Sequence, residues 1–138
     1  MSPSACVFCR ILAGELPSVT LLEAASHVAI LDTAPVRPGH ALVLSRAHVE
    51  RMTDADPGLL GQMMATAQRL APAILSATGQ EAFNVVVNNG AAAGQVVFHL
   101  HLHVIPRARD DGFRWGWKKG AYAAGEMARV GEAIRAKL

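Results

Sequence analysis

Apolar positions along this chain follow two periods, and the change from one to the other divides it into elements. "SVTLLE" (18–23), "HVAILD" (27–32) and "GHALVLS" (39–45) are short runs rich in Val, Ile and Leu, bounded by turn residues, and predict three strands. The connection "TAPVRPG" (33–39), with two prolines and a glycine, separates the second from the third. Over 56–79 the period becomes helical: Leu59, Met63, Ala67, Leu70 and Ile74 share one face. Asp56 can cap that helix, Pro57 suits its first turn and Gly79 can end it. Pro72 lies inside the pattern and predicts a kink or a break there. "AFNVVVNN" (82–89) and "QVVFHLHLHVIPR" (95–107) predict a fourth and a fifth strand around the small-residue loop "GAAAG" (90–94). "GEMARVGEAIRAKL" (125–138) predicts a closing helix with Met127, Val130, Ile134 and Leu138 on one side. Strands, helix, strands, helix, without repeat or linker, predict an α+β fold with an antiparallel sheet and one domain over 1–138.

Composition narrows the class. About half of the 138 residues are hydrophobic, enough for a real core. Thirteen basic and 11 acidic residues give a net charge of +2, too balanced to argue for nucleic acid or a membrane surface. There is no basic-then-apolar leader and no apolar run of membrane-spanning length, so the expected location is cytoplasmic. The two cysteines, Cys6 and Cys9, form a C-x-x-C pair in "ACVFCR". One close pair is not a disulfide framework, which leaves metal or redox chemistry. A redox pair belongs at a strand-to-helix junction inside a βαβ unit, whereas this pair precedes every predicted strand.

The densest chemistry is "HLHLH". In a strand, alternate side chains face opposite ways, so His99, His101 and His103 share one face while Phe98, Leu100, Leu102 and Val104 turn to the core. An exposed strand that happens to be His-rich is the bland alternative. Half of the chain's six histidines fall within these five residues, which favours a site. The outer two α-carbons of a strand segment this long lie about 13 Å apart. Zinc–nitrogen bonds are about 2 Å, so three such ligands fit one ion poorly. Two adjacent members could share an ion, and at least one imidazole should stay free for chemistry. His40 in "RPGH" and His48 in "SRAH" are further candidates, and His27, at a strand start, is expected at the surface.

Taken together, "CVFCRILAGELPS", "AILDTAPVRPGHALVLSRAHVE" and "NVVVNNGAAAGQVVFHLHLHVIPR" resemble, in order, segments of the histidine triad (HIT) superfamily of nucleotide-binding hydrolases and transferases. The motif His-φ-His-φ-His-φ-φ, with φ apolar, stands here as His99-Leu100-His101-Leu102-His103-Val104-Ile105. The resemblance spans nearly the whole chain, including a "DDGFRWGW" tail, and is nearest to the bacterial Hint/Fhit-like branch with an N-terminal C-x-x-C. It implies a five-stranded antiparallel sheet with a long helix and a C-terminal helix, usually as a homodimer. It implies attack at the α-phosphate of purine nucleotide conjugates, such as adenosine phosphoramidates or dinucleoside polyphosphates, through a nucleotidyl-histidine. His101 maps to the nucleophile, oriented by the carbonyl of His99. His103 maps to a contact with phosphate and leaving group, and His40 to a support.

The resemblance further implies that Asp32 binds ribose, and that Asn88, Gln95, Gly94 and the Val97 backbone lie at the phosphate. Val7, Phe8, Ile11, Leu16, Ile30 and Thr33 map to the base pocket. Cys6, Cys9, His48 and His99 map to a structural zinc site, the alternative being that both thiols are free and no ion is bound. One position departs: after the glutamine many members carry Ser or Thr, and here stands Val96, which cannot donate a hydrogen bond. That departure keeps open a nucleotide-binding regulatory module with incidental turnover. A pure metal-binding or redox protein is the third reading.

Overall fold

The computed structural model describes residues 5–114, 116 and 118–138. Its elements are α1 (Val7–Leu12), β1 (Thr20–Glu23), β2 (His27–Leu31), β3 (Ala41–Ser45), α2 (Pro57–Thr78), β4 (Ala82–Val86), β5 (His101–Arg107) and α3 (Glu126–Arg135). The five strands form one antiparallel sheet in the order β1-β2-β3-β5-β4.

Side-chain alternation splits this sheet into two faces with different tasks. Ala29 of β2, Ala41 and Val43 of β3, and Leu102 and Val104 of β5 pack against Met63, Ala67, Leu70, Ala71 and Ile74 of α2. The intervening residues, Val28, Ile30, Leu42 and Leu44, face the other way and bury against Cys6 and Phe8. Register decides which face carries the imidazoles: Leu44 pairs with His101 and Leu42 with His103, while Val43 pairs with Leu102. Apart from His27 at the start of β2 and Ser45 at the end of β3, both runs are apolar, because both faces are covered.

The long helix starts and stops where the sequence indicates. Asp56 Oδ1 accepts from the backbone N–H of Gly58 (2.8 Å) and Leu59 (3.4 Å), and Gly79 ends the helix at φ +67°. Of the kink or break expected at Pro72, the break does not occur; α2 runs unbroken through it. Pro72 and Gln68 are both exposed, so the carbonyl that loses its partner is on the solvent side. Gly39, at φ +93°, brings the β2–β3 connection against the end of α2, where a Cβ would lie 2.7 Å from Thr78 Cγ2.

Four expectations are corrected. The fifth strand begins at His101 rather than at 95. Residues 95–100 instead bond locally and to the segment after β3, as in Gln95 N–H to Gly90 O (3.1 Å), His99 N–H to Val97 O (2.9 Å) and Leu100 N–H to Val49 O (2.7 Å). Phe98 is accordingly half-buried and belongs to neither core cluster. His27 is buried, not at the surface. Its Nε2 pairs with Thr66 Oγ1 of α2 at 2.7 Å and its Nδ1 with Ser26 Oγ at 2.9 Å, and burial pushes its pKa down. The closing helix spans Glu126–Arg135 and buries no side chain; Met127 and Ile134 are exposed. Helix α1 has no counterpart in the sequence reading. Six residues without a side-chain cap leave no readable period, and the helix is held by the burial of Phe8.

Past β5, Asp111 receives both Nε (2.6 Å) and Nη2 (3.0 Å) of Arg107, which holds its carboxyl well below the usual carboxylate range. Trp115 and Trp117 of the "DDGFRWGW" tail lie outside the described residues. No helix among the described residues is long and apolar enough to cross a membrane.

Candidate active site and metal centre

Helix α1 exists in order to bring two thiols to the imidazole face. Cys6 precedes it and Cys9 lies within it, and both are free. Their sulfurs meet His48, just past β3, and His99, just before β5. Cys9 Sγ lies 3.2 Å from His48 Nδ1, and the two sulfurs each lie 3.5 Å from His99 Nδ1. The four donor atoms are all within 4.8 Å of one another. Tetrahedral zinc, with arms of about 2.3 Å to sulfur and about 2.0–2.1 Å to nitrogen, sets sulfur and nitrogen about 3.6 Å apart, so the donor set fits such an ion. His99 is also in the right protonation state. Its Nε2 lies 2.7 Å from Ser45 O, a contact only an N–H can make, which leaves the Nδ1 lone pair turned to the thiols.

The remaining imidazoles are fixed by the same logic. His101 Nδ1 donates to His99 O at 2.6 Å, so its Nε2 carries a free lone pair. His40 Nδ1 accepts from Val36 N–H at 3.1 Å; its proton is therefore on Nε2, which donates to His103 Nδ1 at 2.9 Å. That in turn places the proton of neutral His103 on Nε2. One bare nitrogen and one N–H thus stand side by side, with ring centroids 4.8 Å apart. Phe8 braces His101 edge-on at 5.0 Å between centroids. Burial lowers the pKa of both His40 and His101. His103 is pushed down to about 4 by burial and by its neighbours His101 and His40. At pH 7 the group is neutral, as a nucleophilic imidazole requires. Asp32 is its nearest carboxylate, with Oδ2 3.6 Å from His40 Nε2 and Oδ1 accepting from Ala34 N–H at 2.8 Å.

These groups open onto a cavity of about 430 Å³. Of the residues singled out in the sequence, Val7, Phe8, Ile11, Ile30, Asp32, Thr33, Asn88, Gly94, Val97, His101 and His103 line it. Val96 lines it too, and is 84% exposed. Gln95 and Leu16 do not line it. Gln95 is turned inward, with Oε1 accepting from Gly90 N–H (2.7 Å) and Nε2 donating to Glu50 O (2.7 Å) and Val97 O (3.2 Å). It closes the loop rather than facing the cavity. Two groups that orient imidazoles, Val36 N–H and Ser45 O, were invisible in the sequence because both act through the backbone. Pro17, Ser18 and Leu42 are further lining residues with no signal beyond ordinary loop or core composition.

A small α+β fold that holds an imidazole with a bare Nε2 and a neighbouring N–H over a cavity, with a thiol–imidazole cluster behind, defines a protein whose site is built on histidine. The chain belongs to the HIT family, whose domain matches residues 13–110. It is 43% identical to the adenylylsulfatase HINT3 of Arabidopsis thaliana over 106 residues, which are 77% of this chain and 54% of that protein. The chain thus matches little more than half the length of that relative. It is 36% identical to the adenosine 5'-monophosphoramidase hnt1 of Schizosaccharomyces pombe over 134 residues, covering 96% and 98% of the two chains. The crystal structure of a zinc-bound histidine triad family protein from Mycobacterium smegmatis superposes with a TM-score of 0.77 at 33% identity, over 99% of each chain.

Proposed function

We propose that this protein hydrolyses conjugates of a purine nucleotide at the α-phosphate, as a single domain over 1–138, with His101 as nucleophile. The observation that carries this is the bare Nε2 of His101, set by the 2.6 Å bond from its Nδ1–H to His99 O and facing a cavity with a carboxylate and an apolar wall. The names of the phosphoramidase and adenylylsulfatase relatives support the substrate class. His101 Nε2 attacks phosphorus and the bond from phosphorus to the leaving atom breaks; the Nε2–H of His103 donates a hydrogen bond to that atom as it departs, and the leaving group takes its proton from solvent. Water then attacks the nucleotidyl-histidine, breaking the P–N bond; the mononucleotide leaves, His101 is neutral again and one proton passes to solvent. His40 holds His103 in the required tautomer. Asp32 accepts from the ribose hydroxyls, Phe8, Ile11 and Ile30 hold the base, and the Val97 backbone and Asn88 hold the phosphate. Leu16 and Gln95 serve these from behind.

Cys6, Cys9, His48 and His99 would hold zinc. With four protein ligands the ion supplies no open position, only a fixed scaffold. Support comes from the donor geometry and from the zinc-bound relative. Metal analysis of purified protein tests it: near-stoichiometric zinc is expected, and ordered free thiols without metal would refute it. A homodimer and a cytoplasmic location complete the proposal. Exposed apolar residues on the edge strands, Leu21 and Phe83, and on α3 support the first, and the free thiols are at home in a reducing compartment. For the chemistry, quenching turnover of an adenosine phosphoramidate should trap a nucleotidyl adduct on His101 by mass spectrometry. His101→Ala should lack both the adduct and turnover; full turnover in that variant would overturn the assignment.

A further inference from the structure

We infer that peroxide joins Cys6 and Cys9 in a reversible disulfide, and that this bond disables the cavity by taking two ligands from the centre behind it, an inference that rests on the zinc site proposed above. Three sides of the cavity hang from that cluster. Val7 and Phe8 lie between the two cysteines, Ile11 lies two residues beyond, and all three line the cavity. Phe8 stands edge-on to both His99 and His101, with centroids 5.8 and 5.0 Å away. His48 leads into residues 49–52, which clasp the segment between β4 and β5. Val49 O accepts from Leu100 N–H (2.7 Å), Glu50 O accepts from Gln95 Nε2 (2.7 Å), and Met52 N–H donates to Asn89 Oδ1 (2.8 Å). His99 supplies the carbonyl that accepts from His101 Nδ1 at 2.6 Å. Displacing the ligands therefore moves cavity-lining groups through the chain itself or through one hydrogen bond.

The two thiols are built to react with each other. Both are free, and their sulfurs lie within 4.8 Å. They stand three residues apart around one turn, closed by Arg10 N–H to Cys6 O at 3.1 Å. Helical Cα atoms three apart are separated by about 5 Å, inside the range of about 4.4–6.8 Å that a disulfide spans. Access is unequal: Cys6 is fully buried and Cys9 partly exposed, so a small solute meets Cys9 first. Cys9 Sγ attacks a peroxide oxygen; the O–O bond breaks, giving a sulfenic acid on Cys9 and hydroxide. Cys6 Sγ then attacks the Cys9 sulfur, the S–O bond breaks and a second hydroxide leaves. Two electrons pass from the thiolates to the peroxide, and two protons from solvent turn both hydroxides into water. The donor set falls to the imidazoles of His48 and His99, too few for a closed structural site. The new ring encloses Val7 and Phe8, and thiol exchange opens it again.

The test uses the zinc-loaded wild type, hydrogen peroxide and adenosine 5'-monophosphate. Peroxide should release zinc to a chromogenic chelator in step with a disulfide mapped to Cys6 and Cys9 by mass spectrometry. Affinity for the mononucleotide, measured by calorimetry, should fall about tenfold. Dithiothreitol with zinc should restore both. Methionine sulfoxide survives that treatment, so the recovery belongs to the thiol pair. Cys9→His keeps four zinc-type ligands and leaves one thiol, and peroxide should change its nucleotide affinity by less than about twofold. Should that variant not fold, the wild-type measurements decide alone. Thiols and zinc that withstand peroxide, a disulfide that leaves nucleotide affinity unchanged, or a Cys9→His protein as sensitive as the wild type overturns this inference while the zinc assignment stands. Purified protein without zinc refutes the zinc assignment, and zinc-loaded protein that does not bind the mononucleotide refutes the nucleotide reading; either result takes this inference with it.

Discussion

Replacing Gln95 by leucine separates two roles that the sequence alone confounds. If the amide touches phosphate, Gln95→Leu should lose activity and keep its stability. The structure expects the reverse order of effects. Leucine fills a similar volume but leaves Gly90 N–H without its 2.7 Å acceptor, and Glu50 O and Val97 O without the donors at 2.7 and 3.2 Å. Three bonds, one buried and two partly buried, at about 1 kcal/mol each amount to roughly 3 kcal/mol. At about 2.1 cal/mol/K per residue, unfolding this 138-residue chain carries roughly 0.29 kcal/mol/K at the midpoint. The expected fall in Tm is therefore about 10 °C by scanning calorimetry. Gln95→Glu should do no better, since it keeps the acceptor for Gly90 but sets a carboxylate against two carbonyls. Turnover will also decline as the 88–97 wall loosens, so the midpoint is the deciding measurement. A Gln95→Leu protein that melts within about 2 °C of wild type, yet is inactive, would refute the reasoning and return Gln95 to the substrate.

The depressed His40 and His103 set the pH dependence. Both stay neutral in the folded protein below the ordinary histidine pKa of about 6.5, so the acid limb of kcat/KM should fall below pH 6.5, and for His103 near pH 4. In the same window the unfolded chain binds protons that the folded chain does not. Stability should therefore drop from about pH 6.5 down to about pH 4 and level off below that as far as His103 is concerned; denaturant midpoints that stay flat across the window would contradict the burial argument. Asp56→Ala removes the cap of α2, far from the cavity, and should cost about 1 kcal/mol, or roughly 3 °C in Tm, with kcat/KM unchanged.

How much of this was legible in the sequence depended on the distance over which each feature is decided. The α2 boundaries were readable because Asp56 and Gly79 act on their own neighbours. The face shared by the three imidazoles was readable because period two survives through His99, although the ladder itself begins at His101. His27 was not, since its burial depends on Thr66, a residue of another element 39 positions away. The overlong fifth strand has the same cause. "QVVF" has strand composition, but Gln95 and Leu100 find partners at Glu50 and Val49, and a run of apolar residues does not reveal that competition.

The site goes further than its list of side chains, because its protonation states are written by the backbone. Ser45 O takes the Nε2 proton of His99, His99 O takes the Nδ1 proton of His101, and Val36 N–H turns His40 toward His103. His99 stands in two of these links at once. Its ring nitrogen faces Cys6 and Cys9, and its carbonyl fixes the tautomer of His101. Anything that shifts the thiol–imidazole cluster therefore moves the same peptide that decides which nitrogen of His101 is bare. The cluster and the bare nitrogen of His101 are separated by one residue rather than by a domain, and the alternation of a strand is what lets residues two apart, on one face, point one ring at the thiols and the other at the cavity.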